Sequence, residues 1–229
     1  MRSSKWHALG NAYLLVEQAD RLTAERAREL SQDTDGVLEV RGNDVTVWNP
    51  DGSTAEMSGN GARIAAAWFA REKGSAHVRF RIGERDVRAT VDGDNVTLEA
   101  GRVEVGEPEA IDGIEFTPVS VGNPHAVVRH DPADIRRLGP HLEKHERFPE
   151  RTNVQLVRVD GEHDLSVAVW ERGAGETTAS GSSAIAAAAA AVANGWCTSP
   201  VTVHMPGGDL HVELADGEAR LTGPAVELA

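Results

Sequence analysis

One cysteine, Cys197, is all the thiol this sequence has, which excludes an intramolecular disulfide, a CxxC redox pair and any catalysis that needs two thiols. Long apolar runs are missing too. The longest, Ala184 to Ala193, spans ten residues, against the roughly 20 needed for a membrane-spanning helix. The N-terminal MRSSKWHALGN carries basic residues, but Gly10 and Asn11 interrupt any apolar core of a signal peptide, so a cytoplasmic address is expected. Basic residues are the minority, with 23 Lys+Arg against 36 Asp+Glu and a formal charge of −13. Such a surface repels phosphate backbones, which argues against general nucleic-acid binding. The acidic excess reads as solubility, because no D-x-[DN]-x-[DN]-G calcium loop occurs.

What the 229 residues do contain is a repeat. LGNAYLLV (Leu9 to Val16) returns as VGNPHAVV (Val121 to Val128), and EMSGNGARIAAAW (Glu56 to Trp68) returns as TASGSSAIAAAAA (Thr178 to Ala190). VRFRIGERDVRATVDG (Val78 to Gly93) matches VTVHMPGGDLHVELADG (Val201 to Gly217). Three matches in one order, each unit filling half the chain, predict two pseudo-symmetric domains, residues 1–113 and 114–229, with the last strand able to return to the first half. Two units are too few for a solenoid. Small-molecule sites favour domain interfaces, so a ligand cleft is expected between the halves.

Alternating residues such as Val45 and Val47, then Val78, Phe80 and Ile82, with Asp92-Gly93 and Asp216-Gly217 as turns, predict antiparallel strands in a meandering sheet. Alanine-rich, proline-free Gly61–Lys73 and Ser182–Val192 predict helices, the second closed by Asn194-Gly195 and apolar almost all round, hence buried. Ala24–Ser31 is expected to be an amphipathic helix capped by Thr23. A shorter helix over Pro132–Leu138 is expected to stop before Gly139-Pro140. HLEKH (His141 to His145) spaces two histidines as in a zinc site, but Glu143 is not at the metalloprotease position, and it reads as solvated surface with no metal.

In each half a Ser-Gly pair, Ser58-Gly59 and Ser180-Gly181, precedes the central helix. Free N–H groups at a helix start suit a carboxylate or phosphate. Serine is equally a preferred N-cap, so the position has a purely structural reading as well.

KWHALGN, WNPDGSTAEMSGNGAR, VGNPHAVV, ERTNVQL, WERGAGETTASGSSA and MPGG, taken in order from Lys5 to Gly208, resemble the motifs of the diaminopimelate epimerases, cofactor-independent enzymes of lysine and peptidoglycan synthesis. The resemblance implies an α+β fold of two pseudo-symmetric domains, each an antiparallel β-barrel around a central buried helix. It implies interconversion of LL- and meso-diaminopimelate, no cofactor, an amino-acid substrate and a homodimer. By position, Asn11, Asn49, Asn123, Asn153, Glu171 and Arg172 would bind substrate, and backbone groups of Gly59, Asn60, Gly61, Gly181 and Ser182 would hold the reacting carboxylate. Arginine can meet a carboxylate bidentately. Taken singly, the asparagines also read as turn residues and the Glu-Arg pair as solvated surface.

The family's acid and base are cysteines; here both positions are serine, Ser58 and Ser180. A thiol with a reference pKa of about 8.5 is within reach of a helix N-terminus. An alcohol needs an adjacent base. Three accounts follow: the serines are substitutions that hold substrate without turnover, another residue moves the proton, or the site only binds. For the second, His125, Glu171, Glu176 and Asp51 are the candidates, and a single base suits isomerisation or dehydration, as in related folds of phenazine and hydroxyproline metabolism. Cys197 lies a full helix beyond Ser180 and reads as a packed small hydrophobe. The intervals from Asn11 to Asn49 and from Ser58 to Asn123 look short for the family, which bears on substrate choice.

Overall fold

The computed structural model describes residues 1–228. By its contacts the chain divides at Glu99/Ala100, and the segment from Thr222 belongs with the first unit. In chain order the first ten elements are β1 (Arg2–Ala8), β2 (Asn11–Glu17), α1 (Ala24–Leu30), β3 (Val37–Arg41), β4 (Asp44–Trp48), β5 (Thr54–Ala55), α2 (Gly59–Lys73), β6 (His77–Ile82), β7 (Arg85–Asp92) and β8 (Asn95–Arg102). There follow β9 (Glu104–Val105), β10 (Glu109–Ile111), β11 (Ile114–Ser120), β12 (Pro124–Arg129), a 3-10 turn (Pro132–Asp134), α3 (Ile135–Glu143), β13 (Asn153–Gly161), β14 (Asp164–Glu171), β15 (Gly175–Thr177), α4 (Gly181–Ala193), β16 (Val201–Met205), β17 (Gly208–Ala215), β18 (Glu218–Pro224) and β19 (Val226–Leu228).

The repeat is kept at the level of strand register. Val47 pairs with Ala55 and Trp48 with Thr54; in the second unit Val169 pairs with Thr177 and Trp170 with Glu176. Both later hairpins turn over two residues, with Ile82 opposite Arg85 and Met205 opposite Gly208.

The sheets are mixed, which corrects the expectation of purely antiparallel barrels. Among the described residues, parallel pairings join β2 with β3, β4 with β6, β12 with β13 and β14 with β16. Each falls where a helix intervenes between the strands. A parallel pair needs a long crossover, and a helix is the usual one. Once α1, α2, α3 and α4 join the strands that flank them, those strands are free to run the same way.

Both alanine-rich helices are central in their own units. In α2 every residue from Asn60 to Phe69 is buried, and Ile64, Ala65 and Phe69 pack among Leu38, Val47, Val78, Phe80, Ile82 and Val96. In α4 the run Ser183 to Ala191 is buried, against strands that include β11 to β14, β16 and β17. Small side chains let strands close on the helix from several directions, so the apolar belt needs no polar face. The helices begin at Gly59 and Gly181, two residues and one residue earlier than expected, which makes Ser58 and Ser180 their N-caps. The expected caps of α1 and α4 are present: Thr23 accepts from Arg26 N, and Asn194 closes α4.

The third helix differs from expectation. It does not stop before Gly139-Pro140 but runs through both to Glu143. Proline costs one backbone hydrogen bond inside a helix, yet Ile135, Leu138, Gly139, Leu142 and Glu143 form one buried face at helical spacing, and their burial outweighs it. Gly139 is required by close approach: a Cβ there would stand 2.6 Å from Trp170 Cγ. HLEKH is therefore only partly surface, with Leu142 and Glu143 buried and His141 exposed beside Asp112. Among the described residues no group of three or more His, Cys, Asp or Glu is placed to hold a metal, and no helix is long and apolar enough to cross a membrane.

Candidate active site

In the first unit the Ser58 backbone is extended, and its Oγ accepts from Gly61 N at 3.0 Å while lying 3.2 Å from the Tyr13 hydroxyl. The capping bond takes up the Gly61 N–H that the family pattern would assign to a carboxylate. Space at Gly61 is short as well, since a Cβ would stand 2.9 Å from Leu38 Cδ2 and 3.2 Å from Ser58 Oγ. Gly59 and Asn60 complete the first turn, which holds no acidic residue, so the positive end of the helix dipole is not offset from within the helix. Asn11, at the start of β2, accepts from Asn60 Nδ2 at 2.5 Å.

Asn49 closes the NPDGS turn: its N donates to Ser53 O and its Nδ2 to Ser53 Oγ at 2.9 Å. Asp51 Oδ1 accepts from Ser53 N and Oγ, contacts that hold its carboxyl below the usual carboxylate range, and Arg28 Nε on α1 holds the Asp51 carbonyl at 2.7 Å. Asp51 is thus engaged in shaping its own turn.

In the second unit Ser180 has the same extended N-cap backbone but no side-chain capping bond, and the first turn of α4, with Gly181 buried and Ser182 half-buried, also lacks acids. The two serines therefore sit at equivalent places with different hydrogen bonding. Asn153 is a brace: its Nδ2 donates to Pro124 O at 2.9 Å and its Oδ1 accepts from Arg172 N at 3.0 Å. Arg172 Nη1 donates to Glu150 O at 3.2 Å, and Glu171, half-buried, ends β14 beside it. Glu176 is paired with Arg136 at 2.5 Å. Cys197 is buried against Gly161 O, and burial pushes its thiol up, away from reactivity.

His125 is 1% exposed, with Gln155 Nε2 3.0 Å from its Nδ1 and Asn123 Oδ1 3.0 Å from its Nε2; Gln155 Nε2 also donates to Ser183 Oγ at 3.0 Å. Burial, aided by the charge of Arg172, pushes the His125 pKa down to about 4. The ring is neutral at pH 7 and donates through Nε2 to Asn123. Because the folded state resists protonation that the unfolded chain accepts near 6.5, the contribution of His125 is fully present above about pH 6.5 and is lost as pH falls toward 4. A shift of that size corresponds to about 3 kcal/mol. Urea unfolding at pH 7 and pH 4.5 should show this loss, and a His125→Gln variant should show a smaller one over the same interval; equal pH slopes for the two proteins would refute the assignment.

Five residues to which the sequence assigned no part in the site organise these groups: Tyr13 against Ser58, Arg63 against Asn60, Gln155 and Ser183 beneath His125, and Glu143, expected only as solvated surface. Glu143 is 3% exposed; its carboxylate accepts from Trp170 Nε1 at 2.9 Å and Gly173 N at 2.8 Å, with Arg151 at 3.6 Å. Burial works against its ionisation, but the Trp170, Gly173 and Arg151 contacts prevail and hold its carboxyl below the usual range. A lone arginine within the apolar RIAAAWFA was the visible signal for Arg63. Gln155, in a strand buried from Asn153 to Val157, and Glu143 offered none without the tertiary contacts.

Chemically, each unit offers a helix N-terminus free of acids, suited to an anion, with an alcohol at its cap. Neither serine has a carboxylate or imidazole within hydrogen-bond distance among the described residues.

The sequence description of diaminopimelate epimerase matches residues 3–106 and 117–228, one stretch in each half of the chain. A diaminopimelate epimerase of Pseudomonas entomophila is 36% identical, covering 100% of this chain and 97% of the relative. Its 270 aligned positions exceed the 229 residues of this chain by 41, so the chain is the shorter of the two within the shared span. A diaminopimelate epimerase of Desulfitobacterium hafniense is 34% identical over 98% of this chain and 95% of its own. Among solved structures, a predicted epimerase from Pseudomonas aeruginosa superposes with a TM-score of 0.76 at 19% identity, covering 100% of this chain and 97% of that one. A phenazine biosynthesis protein of the PhzF family from Enterococcus faecalis follows at 0.74 and 12% identity, covering 99% and 96%. These two share the fold. With the motifs in order, matches in both halves and more than a third of residues identical over full length, the chain belongs to the diaminopimelate epimerase family.

Proposed function

We propose that this chain acts on the carbon α to a carboxylate of an amino acid, and that its ligand is diaminopimelate in the LL and meso forms. Support comes above all from the repetition of one device: a serine-capped, acid-free helix N-terminus at equivalent positions of both halves. Stereoinversion needs one group to remove the α-proton and another to supply one to the opposite face. Breaking the Cα–H bond sends its electron pair into the carboxylate, and backbone N–H groups at a helix start stabilise the developing charge. Ser58 and Ser180 are the proposed proton-handling positions. Asn11, Asn49, Asn123, Asn153, Glu171 and Arg172 are the proposed ligand contacts, Asn153 acting through the Arg172 backbone that it holds.

A second reading, an amino-acid-binding protein without turnover, is favoured by the lack of a base beside either serine among the described residues. Calorimetry with meso-diaminopimelate and proton exchange in heavy water separate the two. Binding with slow deuterium incorporation at Cα is expected of the isomerase; binding with none is expected of the binder. The absence of both binding and exchange would overturn diaminopimelate as the ligand.

A further inference from the structure

Arg63 sits one turn into α2, fully buried, and is held by two contacts: Nη2 donates to Asn60 Oδ1 at 2.5 Å and Nε to Pro224 O at 3.3 Å. Among the described residues its buried Nη1 has no hydrogen-bond partner, and no carboxylate forms an ion pair with it. A buried cation without a counter-charge is costly, so the arrangement is informative about what lies around it.

The chemistry of the guanidinium fixes a direction. It has five N–H donors and no acceptor, so the Asn60 atom facing it must be Oδ1. That turns Asn60 Nδ2 toward Asn11, whose Oδ1 accepts at 2.5 Å. An asparagine amide standing alone can exchange the places of its oxygen and nitrogen at little cost; one tied to an arginine cannot. At the far end of the relay the group left to donate is Asn11 Nδ2.

We infer that Arg63 is a positioning residue: through Asn60 it fixes the Asn11 amide with nitrogen as the free end, so that this half offers an N–H donor to an acceptor group of the ligand, a carboxylate oxygen foremost. That Asn11 meets ligand at all rests on the function proposed above. The equivalent Asn123 is also held through its Oδ1, but by neutral His125, which in turn accepts from Gln155, itself bonded to Ser183. The two halves thus orient their asparagines alike and differ in charge behind them.

The test combines calorimetry with nitrogen-15 NMR of side-chain amides. Arg63→Met fills much of the volume, and relief of an uncompensated buried charge offsets the acceptors it leaves at Asn60 and Pro224. Its affinity for meso-diaminopimelate should fall about tenfold or more, as loss of one oriented hydrogen bond implies, with an unchanged unfolding midpoint. Arg63→Lys keeps a donor toward Asn60 and should stay within about threefold of the parent. The Asn60 and Asn11 amide pairs should be resolved and slowly exchanging in the parent, and shift together in Arg63→Met. Unchanged affinity in Arg63→Met, or equal losses in Arg63→Met and Arg63→Lys, would overturn the proposal. Should Arg63→Met fail to fold, the parent amides decide, and rapid exchange of both rejects the relay. Should the parent bind no diaminopimelate, the ligand assignment falls while the amide spectra still decide the relay.

Discussion

Ser58→Cys with Ser180→Cys should raise the rate at which diaminopimelate exchanges its α-proton with heavy water by at least about a hundredfold over the parent chain, the lower end of what a positioned general base contributes. The parent has alcohols at both positions, and the one hydroxyl with side-chain company, Ser58, faces a tyrosine hydroxyl and a backbone N–H, neither of which is a base. A thiol brings its own acidity, with a reference pKa of about 8.5 that drops at a helix N-terminus. Both central helices begin without an acidic residue that would oppose that drop. Ser58 Oγ already accepts the Gly61 N–H, the type of contact that favours a thiolate. Groups that act as a unit are not additive, so each single variant should recover less than half of the logarithmic gain. Deuterium content at Cα, read by mass spectrometry over time, measures this. A double variant that binds diaminopimelate yet exchanges no faster than the parent would sink the acid–base assignment and favour the binding reading.

Glu143→Ala should be the most damaging substitution outside the N-termini of α2 and α4. It removes the acceptor for the Trp170 indole and for the Gly173 N–H, leaving both donors without their partner. Orphaned partners of a charged acceptor cost about 3 kcal/mol in total, read as a lower urea midpoint at constant slope. The damage reaches the site because Trp170 and Gly173 bracket Glu171 and Arg172. Affinity for diaminopimelate should fall even under conditions where the variant stays folded. Glu143→Gln keeps one carbonyl acceptor and should lose about half as much stability. A Glu143→Ala protein as stable as its parent would show that α3 and the Trp170–Gly173 segment are not coupled through this carboxylate.

How far the sequence carried depends on whether a signal is local. Helix starts and two-residue hairpins are set by neighbouring residues, and Thr23, Ser58, Ser180 and Asn194 stand at the helix ends where their types predict. The Gly139-Pro140 stop was misjudged for the converse reason. Two residues that break helices in isolation lie on a face whose burial against Trp170 outweighs them. Strand direction was misjudged because alternation reports which residues face the core and is silent about which strand lies alongside.

By itself the sequence determined the repeat, the central alanine-rich helices, the serines at their starts and the lack of a thiol that could serve there. Cys197 proved to be packed, as its context implied. Only the tertiary structure decided that Arg63 is a buried cation behind Asn11, that His125 is neutral, that Asn153 is a brace and that Glu143 anchors the Glu171–Arg172 segment. The physical reason is the same in each case. Their states depend on partners two to more than a hundred and fifty positions away, brought together by parallel crossovers and close packing, and a side chain's charge and hydrogen-bond direction are set by those partners.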